Sequence, residues 1–212
     1  MESLLRWDTQ LLLLFNGCHN TFLDTFFWNV STRWLWIPLY AVLVACIIRR
    51  YGQRSLWVLL AVVAAVGLAD YVSSGLIKHW VCRPRPTHAA ELEGLLHILN
   101  GYRGGRYGFV SSHAANCMAL ALSVSLLWRD WRMTLPLMAY AFLNCWSRMY
   151  LGVHYPGDIL GGLLVGSLMA LVAWWLLRRF GCIKNDGTEV PSWWLAMVNA
   201  VFALTLVAAC LL

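Results

Sequence analysis

Six apolar stretches, each bounded by charged or turn-forming residues, divide this chain: approximately Trp34 to Ile48, Leu56 to Ile77, Ser111 to Trp128, Met133 to Leu151, Asp158 to Leu177 and Pro191 to Leu212. Several reach the roughly 20 residues needed to cross a hydrocarbon core. In lipid every backbone N–H and C=O must find a partner inside the protein, so such stretches fold as helices. The expected fold is all-α: a polytopic membrane bundle of about six transmembrane helices, forming a single integral domain over residues 1–212. With 60% hydrophobic residues, 12% charged residues and a mean hydropathy of +0.63, the chain is far more apolar than a soluble globular domain. No apolar run stands alone at the amino terminus like a cleavable signal.

The segment from Glu2 to Phe15 mixes Arg6, Asp8 and Gln10 with leucines and reads as an N-terminal interfacial helix. The first span is short unless it begins upstream near Asp24. The last span opens on Pro191-Ser192-Trp193-Trp194, which suits a helix start at a membrane interface.

The net charge of +6 and pI near 9.1 do not point to nucleic acid, because Lys and Arg fall in short clusters between apolar runs. A bilayer and an anionic lipid headgroup explain them better. The 13 Trp sit mostly near the ends of those runs, as an interfacial aromatic belt requires. The seven Cys include no C-x-x-C pair and lie mostly inside apolar runs, as small hydrophobes do. A disulfide between Cys18 and Cys82 stays open at this point, and nothing suggests a structural zinc.

Three clusters carry chemistry: Lys78 to Arg85-Pro86, Ser111-Ser112-His113, and Ser147-Arg148 running to His154 and Asp158. Lys78, Arg85 and Arg148 supply fixed positive charge, while Ser111, Ser112 and nearby amides supply neutral donors. His113, His154 and Asp158 supply acid, nucleophile and orienter. That inventory fits phosphoryl transfer without a metal or other cofactor. Each cluster alone is weak, and their order and spacing along one chain carry the specificity.

In that order and spacing the chain resembles the type 2 phosphatidic acid phosphatase family over about residues 55–178, with 191–212 an appended C-terminal transmembrane helix. The resemblance implies that His154 attacks phosphorus to give a phosphohistidine, that Asp158 orients its ring, and that His113 protonates the leaving oxygen and then helps to activate water. It implies Lys78, Arg85, Ser111, Ser112 and Arg148 as phosphate ligands. The family usually has Gly where this chain has Ser112, and Pro where it has Val110. Serine remains acceptable at a helix start and keeps the amide that binds phosphate.

Alternation of six spans places all three clusters on one membrane face. Arg49, Arg50, Arg54, Arg129, Arg132, Arg178, Arg179 and Lys184 fall on the other, which the positive-inside rule assigns to the cytoplasm once Lys78, Arg85 and Arg148 are set aside as pocket residues. The site is expected to face the periplasm or exterior of a bacterial inner membrane. The loop from Lys78 to Val110, rich in Pro, Gly and charge, is expected to cover the pocket mouth, with Arg103 and Arg106 steering the headgroup and the paired glycines letting backbone approach a ligand. Asp70, Ser73, Ser74 and Lys78 form a polar stripe, in which Asp70 reads as a structural partner of a buried cation or hydroxyl; Asn116 and Asn144 are read with the same restraint. His19, His79, His88 and His97 stay outside the site.

The expected activity is hydrolysis of a lipid phosphomonoester or diphosphate, with undecaprenyl diphosphate or a lipid A phosphate favoured by the compact loops and the Tyr102 to Tyr107 stretch. Two alternatives are a lipid phosphotransferase using the same phosphohistidine and a non-catalytic headgroup-binding or transport protein.

Overall fold

The computed structural model describes residues 2–183 and 192–212. Two expectations, Pro191 as a helix start and Lys184 as a topology marker, lie outside these residues. The described residues fold into nine α-helices: α1 (Glu2–Gly17), α2 (Thr21–Val30), α3 (Ile37–Tyr51), α4 (Ser55–Asp70), α5 (Lys78–Val81), α6 (Ser112–Trp128), α7 (Trp131–Tyr150), α8 (Pro156–Arg179) and α9 (Ser192–Leu211). Three runs are long and apolar enough to cross a membrane: Trp34–Val81, Pro156–Arg179 and Ser192–Leu211. The first is divided at Gly52, whose φ of 52° ends α3 and lets α4 turn back against it.

Helix α6 occupies the centre and packs against α4, α7 and α8. Its seam with α8 is made of small residues. A Cβ on Gly162 would meet the carbonyl oxygen of Ser111, and one on Gly166 the carbonyl oxygen of Ala115. This is the small-x3-small device that lets membrane helices approach backbone to backbone. The outer faces of α4, α8 and α9 stay apolar and exposed, as at Leu60, Val63, Leu164, Leu168, Leu204 and Val207, the pattern a lipid-facing surface requires.

The main core draws Leu39 and Leu43 from α3, Val58 and Val62 from α4, Val124 from α6, Leu137 from α7 and Val198 from α9. Pro136 inside α7 has no N–H for the Arg132 carbonyl four residues back, and that oxygen instead accepts from Asn199 Nδ2 of α9 at 3.1 Å. Another tie, Asn29 Nδ2 to the Ala209 carbonyl at 3.1 Å, joins α2 to α9. The C-terminal helix is thus built into the core.

The amino-terminal helix docks on α7 and α8 with Leu12 fully buried. Asn16 Nδ2 donates to the carbonyls of His97 (2.9 Å) and Tyr150 (2.7 Å), and Asn16 Oδ1 accepts from His97 N (2.8 Å), fixing the long loop to the bundle end. All seven cysteines are free; Cys18 lies in the turn after α1 and Cys82 caps α5 with its thiol donating to the His79 carbonyl, so the Cys18–Cys82 disulfide does not form.

Candidate active site

Lys78 follows a π-helical stretch, Tyr71–Ile77, that interrupts the helix after α4. Such wider turns shift the register of side chains and concentrate at functional sites. The polar stripe meets α6: Lys78 Nζ donates to Ser112 Oγ at 3.2 Å, and Asn116 Nδ2 donates to Asp70 Oδ1 at 2.9 Å. Ser73 turns back on its own helix, donating to the Ala69 carbonyl at 2.6 Å.

Beyond α5 the chain pairs briefly with itself. Arg85 N donates to the Arg106 carbonyl (3.0 Å) and Gly108 N to the Arg83 carbonyl (2.9 Å), with Pro84 opposite Tyr107. This pairing carries the Arg85 guanidinium to the Tyr107 carbonyl (Nε, 3.1 Å) and the Val153 carbonyl (Nη1, 3.5 Å). Gly104, at φ +65°, passes so near that a Cβ would lie 2.7 Å from Arg85 Nη1, and one on Gly108 would lie 2.7 Å from Asp158 Oδ2. Gly104 and Gly108 thus make room for site residues, while Gly105 has nothing within 4 Å of an added Cβ.

Ser111 is fully buried and caps α6, its Oγ accepting from Ala114 N at 3.4 Å, while its N–H donates to the Asp158 carbonyl at 2.9 Å. That bond joins the second cluster to the third. The Ser111 hydroxyl proton is left to serve as a donor. His113, on the first turn of α6, lies within electrostatic reach of Arg148, His154, Arg85 and Lys78.

His154 and Asp158, both fully buried, bracket the start of α8. His154 Nδ1 meets Asp158 Oδ2 at 3.3 Å. The carboxylate accepts, so Nδ1 carries the proton and Nε2 keeps its lone pair. Nε2 is buried with no protein partner. Burial first, then the charges of Arg85, Lys78 and Arg148, hold the His154 imidazole well below the usual histidine range, so it is neutral at pH 7. Asp158 is held in turn: Tyr155 N donates to Oδ2 at 3.1 Å and Arg83 Nη1 to Oδ1 at 3.0 Å. Arg83 lies 3.9 Å from the Tyr155 ring centroid and reaches Asp8 Oδ2 on α1 at 2.7 Å, while Asp8 Oδ1 accepts from Gly157 N at 2.7 Å.

Arg148 is 2% exposed near the end of α7. Its Nε donates to Ser147 Oγ (3.3 Å), the Ser147 hydroxyl donates to the Asn144 carbonyl (2.7 Å), and Nη2 is buried without a protein partner. Among the described residues, Lys78, Arg85 and Arg148 form no ion pair with any carboxylate. Buried cations are costly without a counter-charge, so the arrangement favours an oxyanion. Three converging cations also disfavour a divalent metal among them.

The structure therefore gathers Lys78, Arg85, Ser111, Ser112, His113, Arg148, His154 and Asp158 at one end of the bundle. It does not bring Arg103 or Arg106 to them. Arg103 Nη1 donates to the Thr87 carbonyl (3.3 Å) and its own carbonyl accepts from Thr87 Oγ1 (2.7 Å), while the Arg106 guanidinium lies 5.6 Å from the Tyr107 ring centroid. Sequence reasoning missed Arg83 and Asp8. The Arg83-Pro84-Arg85-Pro86 run showed two cations at the site, but nothing local distinguishes the one that pairs with acids, and Asp8 is 75 residues away from its partner.

The profile of the PAP2 superfamily matches residues 54–182. A Bacteroides thetaiotaomicron protein named "Lipid A 4'-phosphatase" is 32% identical over 91% of this chain and 86% of its own. A Bacillus subtilis protein named "Undecaprenyl-diphosphatase BcrC" is 30% identical over 76% and 77%. The crystal structure of a transmembrane PAP2 type phosphatidylglycerolphosphate phosphatase from Bacillus subtilis superposes with a TM-score of 0.67 over 88% of this chain and 90% of that one, at 20% identity, which establishes the fold.

Proposed function

The chain belongs to the PAP2 superfamily, and on that premise we propose that it is an integral membrane lipid phosphatase working through a phosphohistidine. The observation that carries this reading is the unpartnered, buried His154 Nε2 beside cations that lack carboxylate partners. Nε2 attacks phosphorus as the P–O bond to the lipid breaks, Lys78, Arg85 and Arg148 hold the non-bridging oxygens, and His113, protonated once the bound phosphate offsets the charges of those cations, gives its proton to the leaving oxygen. Neutral His113 then takes a proton from water as the water oxygen attacks phosphorus and the P–N bond breaks, releasing phosphate and restoring both imidazoles. Asp158 keeps the His154 ring in one tautomer and stabilises its charged form. No metal is needed where side-chain cations neutralise the phosphoryl oxygens.

Six of the helices, α3, α4 with its extension to α5, α6, α7, α8 and α9, are proposed as spans of one integral domain. Arg49, Arg50, Arg54, Arg129, Arg132, Arg178 and Arg179 then mark the cytoplasmic end, and the site opens toward the periplasm of a bacterial inner membrane. The relative named for lipid A is matched over more of this chain than the one named for undecaprenyl diphosphate, which supports a lipid A-type phosphate as substrate.

The test is phosphate release by purified protein in detergent with chelator present, from lipid A, undecaprenyl diphosphate, phosphatidylglycerol phosphate and phosphatidate, beside His154→Ala. Release from at least one lipid, lost in the variant, is the expected result. Release that persists in the variant removes His154 as nucleophile, and activity restored only by a divalent ion removes the metal-free mechanism.

A further inference from the structure

A cavity of about 410 Å³ opens between α3, α4, α6 and α7 beneath the turn that joins α2 to α3. Its wall includes Arg33, Tyr40, Asp70, Ser112, His113 and Asn116, whereas His154, Arg85 and Arg148 do not line it. The cavity therefore adjoins the phosphate pocket on the side of His113, the residue assigned to the leaving oxygen. On the phosphatase reading above, the group that bears the phosphate lies on that side. Its volume falls in the range of about 300–1,000 Å³ usual for small-molecule sites.

The wall is acceptor-rich at its most constrained point. Asn116 donates its amide N–H to Asp70 at 2.9 Å, which fixes the amide so that Oδ1 faces the other way. That Oδ1 is buried without a protein partner, and the second carboxylate oxygen of Asp70 makes no hydrogen bond to protein among the described residues. A carboxylate within an apolar helical run is expensive unless it serves a ligand or a partner. The free acceptors call for hydroxyl or N–H donors.

We infer that this cavity is a subsite for the hydroxyl-bearing sugar ring that carries the scissile phosphate, with Asp70 and Asn116 determining specificity for phosphoglycolipids over polyprenyl diphosphates. The inference rests on the phosphatase reading above and narrows its substrate. A sugar hydroxyl donates to the Asn116 carbonyl or the Asp70 carboxylate while the ester oxygen stays beside His113. A prenyl diphosphate offers no hydroxyl or N–H donor to these acceptors.

The experiment compares kcat/KM of wild type, Asp70→Asn and Asn116→Ala on a phosphorylated glucosamine glycolipid, a polyprenyl diphosphate and a long-chain alkyl phosphate without hydroxyls. Wild type is expected to prefer the glycolipid. Each variant is expected to lose about 10- to 100-fold on the glycolipid alone, and to stay within about twofold on the alkyl phosphate. Equal loss on all three substrates would make the pair a support for His113 or Lys78 and overturn the subsite. Unchanged glycolipid turnover, or a wild-type preference for the diphosphate, would overturn it as well while leaving the phosphatase intact. A wild type inactive on all three would instead overturn the phosphatase reading and the subsite with it.

Discussion

Asp8 Oδ2, on the first helix of the chain, lies 2.7 Å from Nη2 of Arg83, and the same guanidinium holds Asp158 Oδ1 at 3.0 Å. On the proposed mechanism Asp158 orients His154, so a residue of the amino-terminal helix acts on the proposed nucleophile through two intermediaries. Asp8 bonds Arg83 and Gly157 rather than His154, and on that mechanism it is a positioning residue. Asp8→Asn keeps the shape and removes the charge. Hydrogen bonds to charged groups contribute about 1.5–3 kcal/mol, so kcat should fall about 10- to 100-fold if that loss is expressed on the nucleophile. KM should change little, because Lys78, Arg85 and Arg148 are untouched. A raised KM at normal kcat would place Asp8 in binding rather than positioning.

Arg148 separates activity from stability. It is 2% exposed and pairs with no carboxylate among the described residues, so the folded protein bears the cost of a buried charge. Arg148→Met should raise thermal stability in detergent by an amount on the order of 1 kcal/mol, while kcat falls about 10²- to 10³-fold with the loss of one oxyanion ligand. A variant both less stable and fully active would show that Arg148 is a structural residue.

The helices themselves were legible because each apolar stretch had to satisfy its own backbone in lipid, and five of the six expected spans lie within a few residues of their helices; the start of the sixth falls outside the described residues. The site clusters were legible because their residue types recur in one order and spacing along the chain. What escaped the sequence was relational. The separate helix α2, Thr21–Val30, is too short to announce itself as a span, and its end is set by the turn through Thr32 that allows Trp36 Nε1 to donate to the Val30 carbonyl at 2.9 Å. The division of labour between Arg83 and Arg85 depends on a strand-like pairing that neither residue encodes locally. Asn199 gave no sign that it would complete α7 at Pro136.

Protonation of His154 supplies a test in pH. Its folded pKa lies well below the ordinary value near 6.5, chiefly through burial, so below that value unfolding takes up a proton that the native state refuses. Stability contributed by this group is full above pH 6.5 and is lost as pH falls toward the depressed native pKa, at up to about 1.4 kcal/mol per pH unit. Wild type should therefore lose more stability than His154→Asn between pH 7 and pH 5.5, measured by thermal or denaturant unfolding in one detergent. Parallel pH curves for the two proteins would show that His154 is not held neutral by the fold.

Glycine spacing on α8 decides how closely the Ser111 and Asp158 clusters approach, since Ser111 N meets the Asp158 carbonyl at 2.9 Å only where α6 and α8 touch. Gly166→Leu would drive a side chain into the Ala115 carbonyl and spread that seam, whereas Gly67 on α4 has nothing within 4 Å of an added Cβ. Gly67→Ala should therefore be neutral or stabilising by up to about 1 kcal/mol, the ordinary helix preference for alanine over glycine, with activity unchanged. Gly166→Leu should lower the unfolding temperature, and in the fraction that still folds kcat should fall because Asp158 and His113 have moved apart. Activity retained by Gly166→Leu at wild-type level would mean that the seam holds the bundle together without setting the geometry of the site.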